Sequence, residues 1–264
     1  ASGAIAAAGA RGDAAAGRSQ ADPYAAIDAC MAAEMQQKGV PGAQLAVMLD
    51  GRLTYAKGYG VKHGTDGGAV DAATLFRIGS VTKMMTAAAV LQQVEAGRVD
   101  LDDPVTDYVP ELELAGPWPA GLITVRHLLT HTSQFPDLIF ELGPSSPDAL
   151  AQWAGQQATT ELHAPPGAFW NYSNPGYALA GLVLERASGA YYRNYTAEHV
   201  WAPAGMTSAT YDPVAVVAGG NWASGHYLDP ASGQWQSLSP GVVDSWWAGP
   251  AGWAFSITWA NTRA

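Results

Sequence analysis

The chain has 264 residues, 48% of them hydrophobic and only 14% charged, which is enough apolar material for a sizeable core under a lightly charged surface. A formal charge of -10 excludes nucleic acid and anionic membrane surfaces as natural partners, because both require basic patches, and leaves a small-molecule or peptide substrate open. No apolar run is long enough for a transmembrane segment, and nothing in the composition speaks to oligomeric state.

Residues 1–21 are mostly Ala, Gly, Ser and Arg and read as a flexible tail with little to bury. Asp22-Pro23 then opens a helix as an N-cap followed by proline at the first helical position. Tyr24, Ile27, Met31 and Met35 follow at helical spacing up to Gly39. Cys30 is the only cysteine, so no intrachain disulfide forms, and three residues after Ile27 it reads as small core filler. Two short apolar runs, Ala43 to Met48 and Leu53 to Tyr59, flank Asp50-Gly51 and predict a β-hairpin. Two strands alone are marginal in water, so the first helix is expected to cover one face.

From Gly60 the pattern changes to helix and loop. Ser80-Val81-Thr82-Lys83 heads an apolar helical segment that runs to Val94 and stops at Gly97. One turn of helix puts the Ser80 hydroxyl and the Lys83 amine on the same face. The serine then sits at a helix start, where backbone N–H groups are unpaired and the dipole is positive, a suitable place for a nucleophile. The acidic stretch Asp100-Leu101-Asp102-Asp103-Pro104 reads as a solvated turn rather than a metal site. Thr124 is the expected N-cap of a short helix through His131. His127 and His131, four apart, lack the Glu between them and the third ligand of a zinc site, so they read as structural and no metal is expected.

Ser146-Pro147-Asp148 opens another helix through Trp153, and residues 165–175 are loop by their Pro, Gly and Asn content. Tyr172 and Asn174, two apart just before a helix from Gly176 to Ser188, can both point into a cleft. Taken alone they read as a packing residue and a turn residue. A further helix spans Tyr191 to Trp201, and Asn221 to Tyr227 and Gln234 to Leu238 flank a turn as possible strands. The ten tryptophans read as packing and cleft lining.

Taken together, these residues resemble the serine β-lactamase and penicillin-binding family, in the branch of class C β-lactamases, D,D-carboxypeptidases, D-aminopeptidases and related esterases. Phe76 to Lys83 is similar to the S-x-x-K nucleophile motif, Gly97 to Val105 to the turn after its helix, and Tyr172-Ser173-Asn174 to the Y-x-N motif. Ile123 to Thr132 and Pro166 to Gly181 match in order and spacing, so the likeness runs over about residues 24 to 255. Two departures stand out. Gln134 occupies a position where the family usually has Gly, at the cleft edge. The third motif, Lys-Thr-Gly or His-x-Gly on the strand lining the cleft, is expected downstream of Ala251 and is absent up to Ala264, while Trp253 to Ile257 resembles the approach to a further helix.

The resemblance implies an α/β (α+β) fold of β-lactamase/transpeptidase type, an antiparallel sheet with flanking helices plus an inserted helical region. Residues 22–60 would form the first helix and hairpin of the α/β part, 61–210 the helical part, and 211–264 the start of the return to an incomplete sheet. It implies acyl transfer through a covalent ester on Ser80, with Lys83 and Tyr172 moving the proton, Asn174 holding the lysine or the substrate amide, and Gln134 binding substrate. Neither a lysine nor a tyrosine is a good base at its ordinary pKa of about 10.4 or 10, so the two are expected to titrate as a unit. No metal or organic cofactor is required. The alternatives are a penicillin-binding or sensor-like protein that is acylated without turnover, or an inactive fragment. The resemblance and the Ala-rich start together imply a periplasmic or secreted location.

Overall fold

The computed structural model describes residues 22–64, 67–137, 146–237, 250 and 255–256, so the first 21 residues and the stretch from Leu238 to Gly249 lie outside the described residues. Helix α1 (Ala25–Lys38) begins three residues after Asp22. The Asp22 carboxylate accepts from the Tyr24 N–H at 2.9 Å, in the turn ahead of the helix, and Tyr24 takes the N-cap place. Gly39 ends the helix in the left-handed region, its N–H bonded to the Met35 carbonyl. Tyr24, Ile27, Met31 and Met35 are all partly buried, so the expected apolar stripe exists. Cys30 is exposed rather than core filler. Helical geometry puts it about 100° round from the centre of that stripe, so three residues after Ile27 is the wrong side.

Strands β1 (Gly42–Leu49) and β2 (Arg52–Gly60) form the expected antiparallel hairpin, with Val47 opposite Tyr55, Leu45 opposite Lys57 and Ala43 opposite Tyr59. Asp50 and Gly51 have φ of 51° and 73°, the two left-handed residues that a tight hairpin turn demands. Tyr55, Lys57 and Tyr59 share the face that meets α1, where all three converge on Asp28: both phenols donate to Oδ1 and Lys57 Nζ lies 2.6 Å from Oδ2. On the opposite face the backbone of Val70 crosses directly over Gly58, where any Cβ would collide with it.

Leu75 exchanges backbone hydrogen bonds with Asn221 and Ala223, and β3 (Phe76–Arg77) pairs antiparallel with β6 (Phe255–Ser256). At Gly79, φ of 51° turns the chain from strand into a 3-10 turn (Gly79–Val81) that runs into α2 (Thr82–Glu95). The acidic turn after α2 is structural, as expected. Asp102 makes a bidentate pair with Arg126 at 2.7 Å, and Asp103 accepts from the Tyr108 hydroxyl at 2.6 Å.

Helix α3 (Val125–Leu129) stops short of His131, which has a left-handed φ of 59°. Helix α4 (Ala149–Ala154) follows, and α5 (Asn174–Ser188) starts two residues earlier than its apolar pattern indicates. The Ser173 hydroxyl caps the Gly176 N–H of α5, with Pro175 in the first turn. Helix α6 (Tyr192–Thr196) continues as a π-helical turn (Ala197–Trp201). Helix α7 (Pro213–Gly219) was not anticipated, although Asp212-Pro213 is the same cap-plus-proline signal, and Asp212 accepts from the Val214 and Ala215 N–H groups. Strands β4 (His226–Leu228) and β5 (Trp235–Ser237) form a short ribbon.

The architecture is therefore mixed α/β, with three two-stranded antiparallel ribbons among the described residues and helices α2 to α6 gathered around the main apolar core, while Val216 of α7 packs with Trp222 in a smaller cluster. That core joins Ala89 and Val90 of α2, Leu128 of α3, Leu150 and Trp153 of α4, and Leu179, Leu182 and Val183 of α5. Among the described residues no helix is long and apolar enough to cross a membrane.

Candidate active site

Ser80 lies in the 3-10 turn and is exposed, whereas Lys83, in the first turn of α2, is 5% exposed. Their side chains meet as the spacing predicts, with Lys83 Nζ 3.3 Å from Ser80 Oγ. The Ser80 N–H belongs to the first turn, where backbone donors have no acceptor within the helix. The second half of the site comes from 92 residues further along. The Tyr172 hydroxyl is 2.6 Å from Ser80 Oγ. Lys83 Nζ donates to Asn174 Oδ1 at 2.6 Å and lies 4.7 Å from the centre of the Tyr172 ring. Hydroxyl, amine, phenol and amide thus form one cluster.

Gln134 is not part of it. Its side chain is fully buried and its Nε2 donates to the Phe169 carbonyl, while its own backbone carbonyl accepts from the His163 N–H at 3.0 Å. It acts as a strut beneath the loop rather than as a group facing substrate. Its backbone has φ of 64°, the left-handed region in which glycine is the unstrained residue. At this position Gln134 therefore takes a glycine-like backbone conformation and adds a side chain inward.

Segment 131–137 carries the loop that delivers Tyr172. The His131 carbonyl accepts from the Asn171 N–H at 2.7 Å, and His131 Nδ1 accepts from the Ser173 N–H at 3.1 Å. The His131 ring lies 4.5 Å from the Tyr172 ring and 5.0 Å from the Tyr177 ring. Burial, and secondarily the charge of Lys83, push its pKa below the ordinary histidine value. A neutral ring with its proton on Nε2 is also what accepting at Nδ1 requires. His127 is occupied in the same way: its Nδ1 accepts from the Thr124 N–H in a capping box. Both histidines are structural, and among the described residues no group of three side chains could hold a metal.

Comparison with known proteins bears on this arrangement directly. The sequence pattern of the family described as Beta-lactamase matches residues 27–259. The chain belongs to that family. It is 34% identical over 168 residues to penicillin-binding protein 4 of Amycolatopsis lactamdurans, covering 63% of this chain and 44% of that protein. Among solved structures it is similar to the octameric penicillin-binding protein homologue from Pyrococcus abyssi, with a TM-score of 0.72 and 27% identity over 89% of this chain and 54% of that one. It is also similar to the D-amino acid amidase from Ochrobactrum anthropi SV3, with a TM-score of 0.65 and 26% identity over 84% of this chain and 63% of that one. The chain spans about half the length of these relatives.

Within this family frame, reasoning from sequence passed over two residues of the site. Asp137 accepts from both the backbone N–H and the side-chain Nδ2 of Asn174, each at 3.0 Å. Tyr177 donates to the Leu129 carbonyl at 2.9 Å, and its ring centre is 5.6 Å from Lys83 Nζ. Burial raises its phenol pKa. Its place three residues after Asn174, on the same face of α5, was the available signal. The support that His131 gives the Tyr172 loop, through the Ser173 N–H, had no local signature.

Proposed function

We propose that this chain carries the acylating half-site of a serine hydrolase acting on an amide, ester or β-lactam carbonyl. The observation that carries the reading is that Ser80 Oγ stands within hydrogen-bonding reach of both the Tyr172 hydroxyl, at 2.6 Å, and Lys83 Nζ, at 3.3 Å. Membership of the Beta-lactamase family supports the same general chemistry.

In the reaction so read, Ser80 Oγ attacks the carbonyl carbon and its proton passes to the Tyr172–Lys83 pair. The oxyanion that forms accepts from the Ser80 N–H. As the bond to the leaving group breaks, the pair returns the proton to the leaving nitrogen or oxygen. The acyl ester on Ser80 is then released by water. Lys83 already donates to Asn174 Oδ1, so its amine is oriented before substrate arrives, and none of these steps calls for a metal or organic cofactor.

Labelling with a fluorescent fluorophosphonate or penicillin, followed by mapping of the adduct, tests this. One adduct per chain on Ser80, abolished in Ser80→Ala, is expected; an adduct elsewhere, or equal labelling of Ser80→Ala, refutes it. Relative turnover of a β-lactam, a D-alanyl peptide and a p-nitrophenyl ester then identifies the substrate class. Stoichiometric labelling without turnover would assign the chain the role of an acylated binding protein instead.

A further inference from the structure

We propose that Asp137 is a positioning residue for this site, holding the Asn174 side chain in the one amide orientation that turns its oxygen, and not its NH2, toward Lys83. The inference rests on the acyl-transfer reading above.

The two ends of an asparagine amide are alike in shape and opposite in hydrogen bonding, so only the neighbours decide which way it points. On one side of Asn174 stands a carboxylate, which when ionised can only accept. On the other stands the Lys83 amine, which donates to the asparagine oxygen. Nδ2 lies 3.0 Å from Asp137 Oδ1, and Oδ1 lies 2.6 Å from Lys83 Nζ. Reversing the amide would set an oxygen against the Asp137 carboxylate and an NH2 group against the amine that now donates to it. Both observed hydrogen bonds would be lost, and on the Asp137 side two acceptor oxygens would face each other.

A second bond fixes the position as well as the orientation. Asp137 Oδ1 also accepts from the backbone N–H of Asn174 at 3.0 Å, the first residue of α5, where helix N–H groups have no partner of their own and a negative charge is favoured. One carboxylate oxygen thereby ties the start of α5 and the Asn174 side chain to the segment that carries His131. Asp137, Asn174 and Lys83 are all partly or fully buried, which strengthens each bond in the series and makes a wrong orientation costly. Asp137 acts on the lysine through Asn174, and so on the height and direction of the amine beside Ser80 Oγ.

The test uses the whole chain and a fluorophosphonate probe, measuring the maximal rate of Ser80 labelling and the half-saturating probe concentration separately. Asp137→Ala is expected to lower the maximal rate by about 10- to 100-fold, the scale of a small misplacement in a catalytic group. The half-saturating concentration should change by less than about 3-fold. Asn174→Ala should lose at least as much, and the double variant Asp137→Ala/Asn174→Ala should be no slower than Asn174→Ala alone, because the two residues act in series. Asp137→Asn keeps an oxygen that can accept from both N–H groups and should restore the rate to within about 5-fold of the unaltered protein. The inference is overturned if Asp137→Ala labels at the normal rate, or if the losses in the double variant multiply. It is also overturned if Asp137→Asn is as slow as Asn174→Ala, a comparison that holds even if Asp137→Ala does not fold. Failure of the unaltered protein to label at Ser80 would instead remove the acyl-transfer reading itself.

Discussion

From Pro175 to Leu184 every residue of α5 is buried, whereas from Asp22 to Gly60 not one is. The first stretch lies in the middle of a core assembled from α2, α3, α4 and α5. The second, α1 with its hairpin, is held by half-buried apolar contacts and by the convergence of Tyr55, Lys57 and Tyr59 on Asp28. Polar clamps of this kind exchange water contacts for protein contacts and yield little net free energy each, while complete burial of aliphatic side chains contributes more. The site draws Ser80 and Lys83 from the start of α2 and Asn174 from the start of α5. Its geometry is therefore tied to the strongly buried region.

The largest effect expected from breaking this contrast is at Leu179. Leu179→Ala should destabilise the protein by about 2–5 kcal/mol through lost burial and a cavity, and Ser80 labelling should disappear along the same melting curve. Leu45→Ala, the same change in the half-buried hairpin, should cost roughly half as much or less. Equal losses measured by denaturant unfolding would show that the two regions are not unequal after all.

A middle-sized effect is expected at His131. Its pKa is lowered in the folded protein, so below the ordinary value near 6.5 the unfolded chain binds the proton more readily. The stabilisation from the neutral ring is fully present above that value and is lost as pH falls through the lower folded one. Glu185 pulls the other way, because burial raises its carboxyl to about 7 and favours the folded state towards lower pH. The readout is therefore a difference. Between pH 7.5 and 5, the thermal midpoint of the unaltered protein should fall relative to that of His131→Gln, which keeps an acceptor for the Ser173 N–H without the titration. Parallel curves would exclude the role given to His131.

The smallest effect belongs to the clamp. Hydrogen bonds from Lys57, Tyr55 and Tyr59 lower the Asp28 pKa to about 2, so its stabilising contribution is present above the ordinary carboxylate value and lost as pH falls through about 2. Asp28→Asn should lower the thermal midpoint at neutral pH by less than Leu179→Ala does, with Ser80 labelling per folded molecule unchanged. The difference from the unaltered protein should close towards pH 2.

What could be read in advance follows the range of the interactions. The hairpin was legible because Asp50-Gly51 is a local turn device, and the apolar stripe of α1 because four residues repeat at helical spacing. Cys30 was misread because three residues of helix is a near neighbour but not always the same face. The cap at Asp212-Pro213 was present in the sequence and its short helix was overlooked. Gln134 was legible as a departure, but its inward direction depended on the Phe169 carbonyl, 35 residues away.

The amino-acid sequence alone determined that Ser80 and Lys83 would share a helical turn, because a backbone repeat of 3.6 residues leaves side chains three apart little choice. By resemblance it also identified Tyr172 and Asn174 as their partners. Only the tertiary structure decided that the phenol reaches the serine, that Asn174 presents oxygen to the lysine, and that Asp137 stands behind it. Those contacts join segments tens of residues apart, and their direction is set by which donors and acceptors the packed core brings face to face.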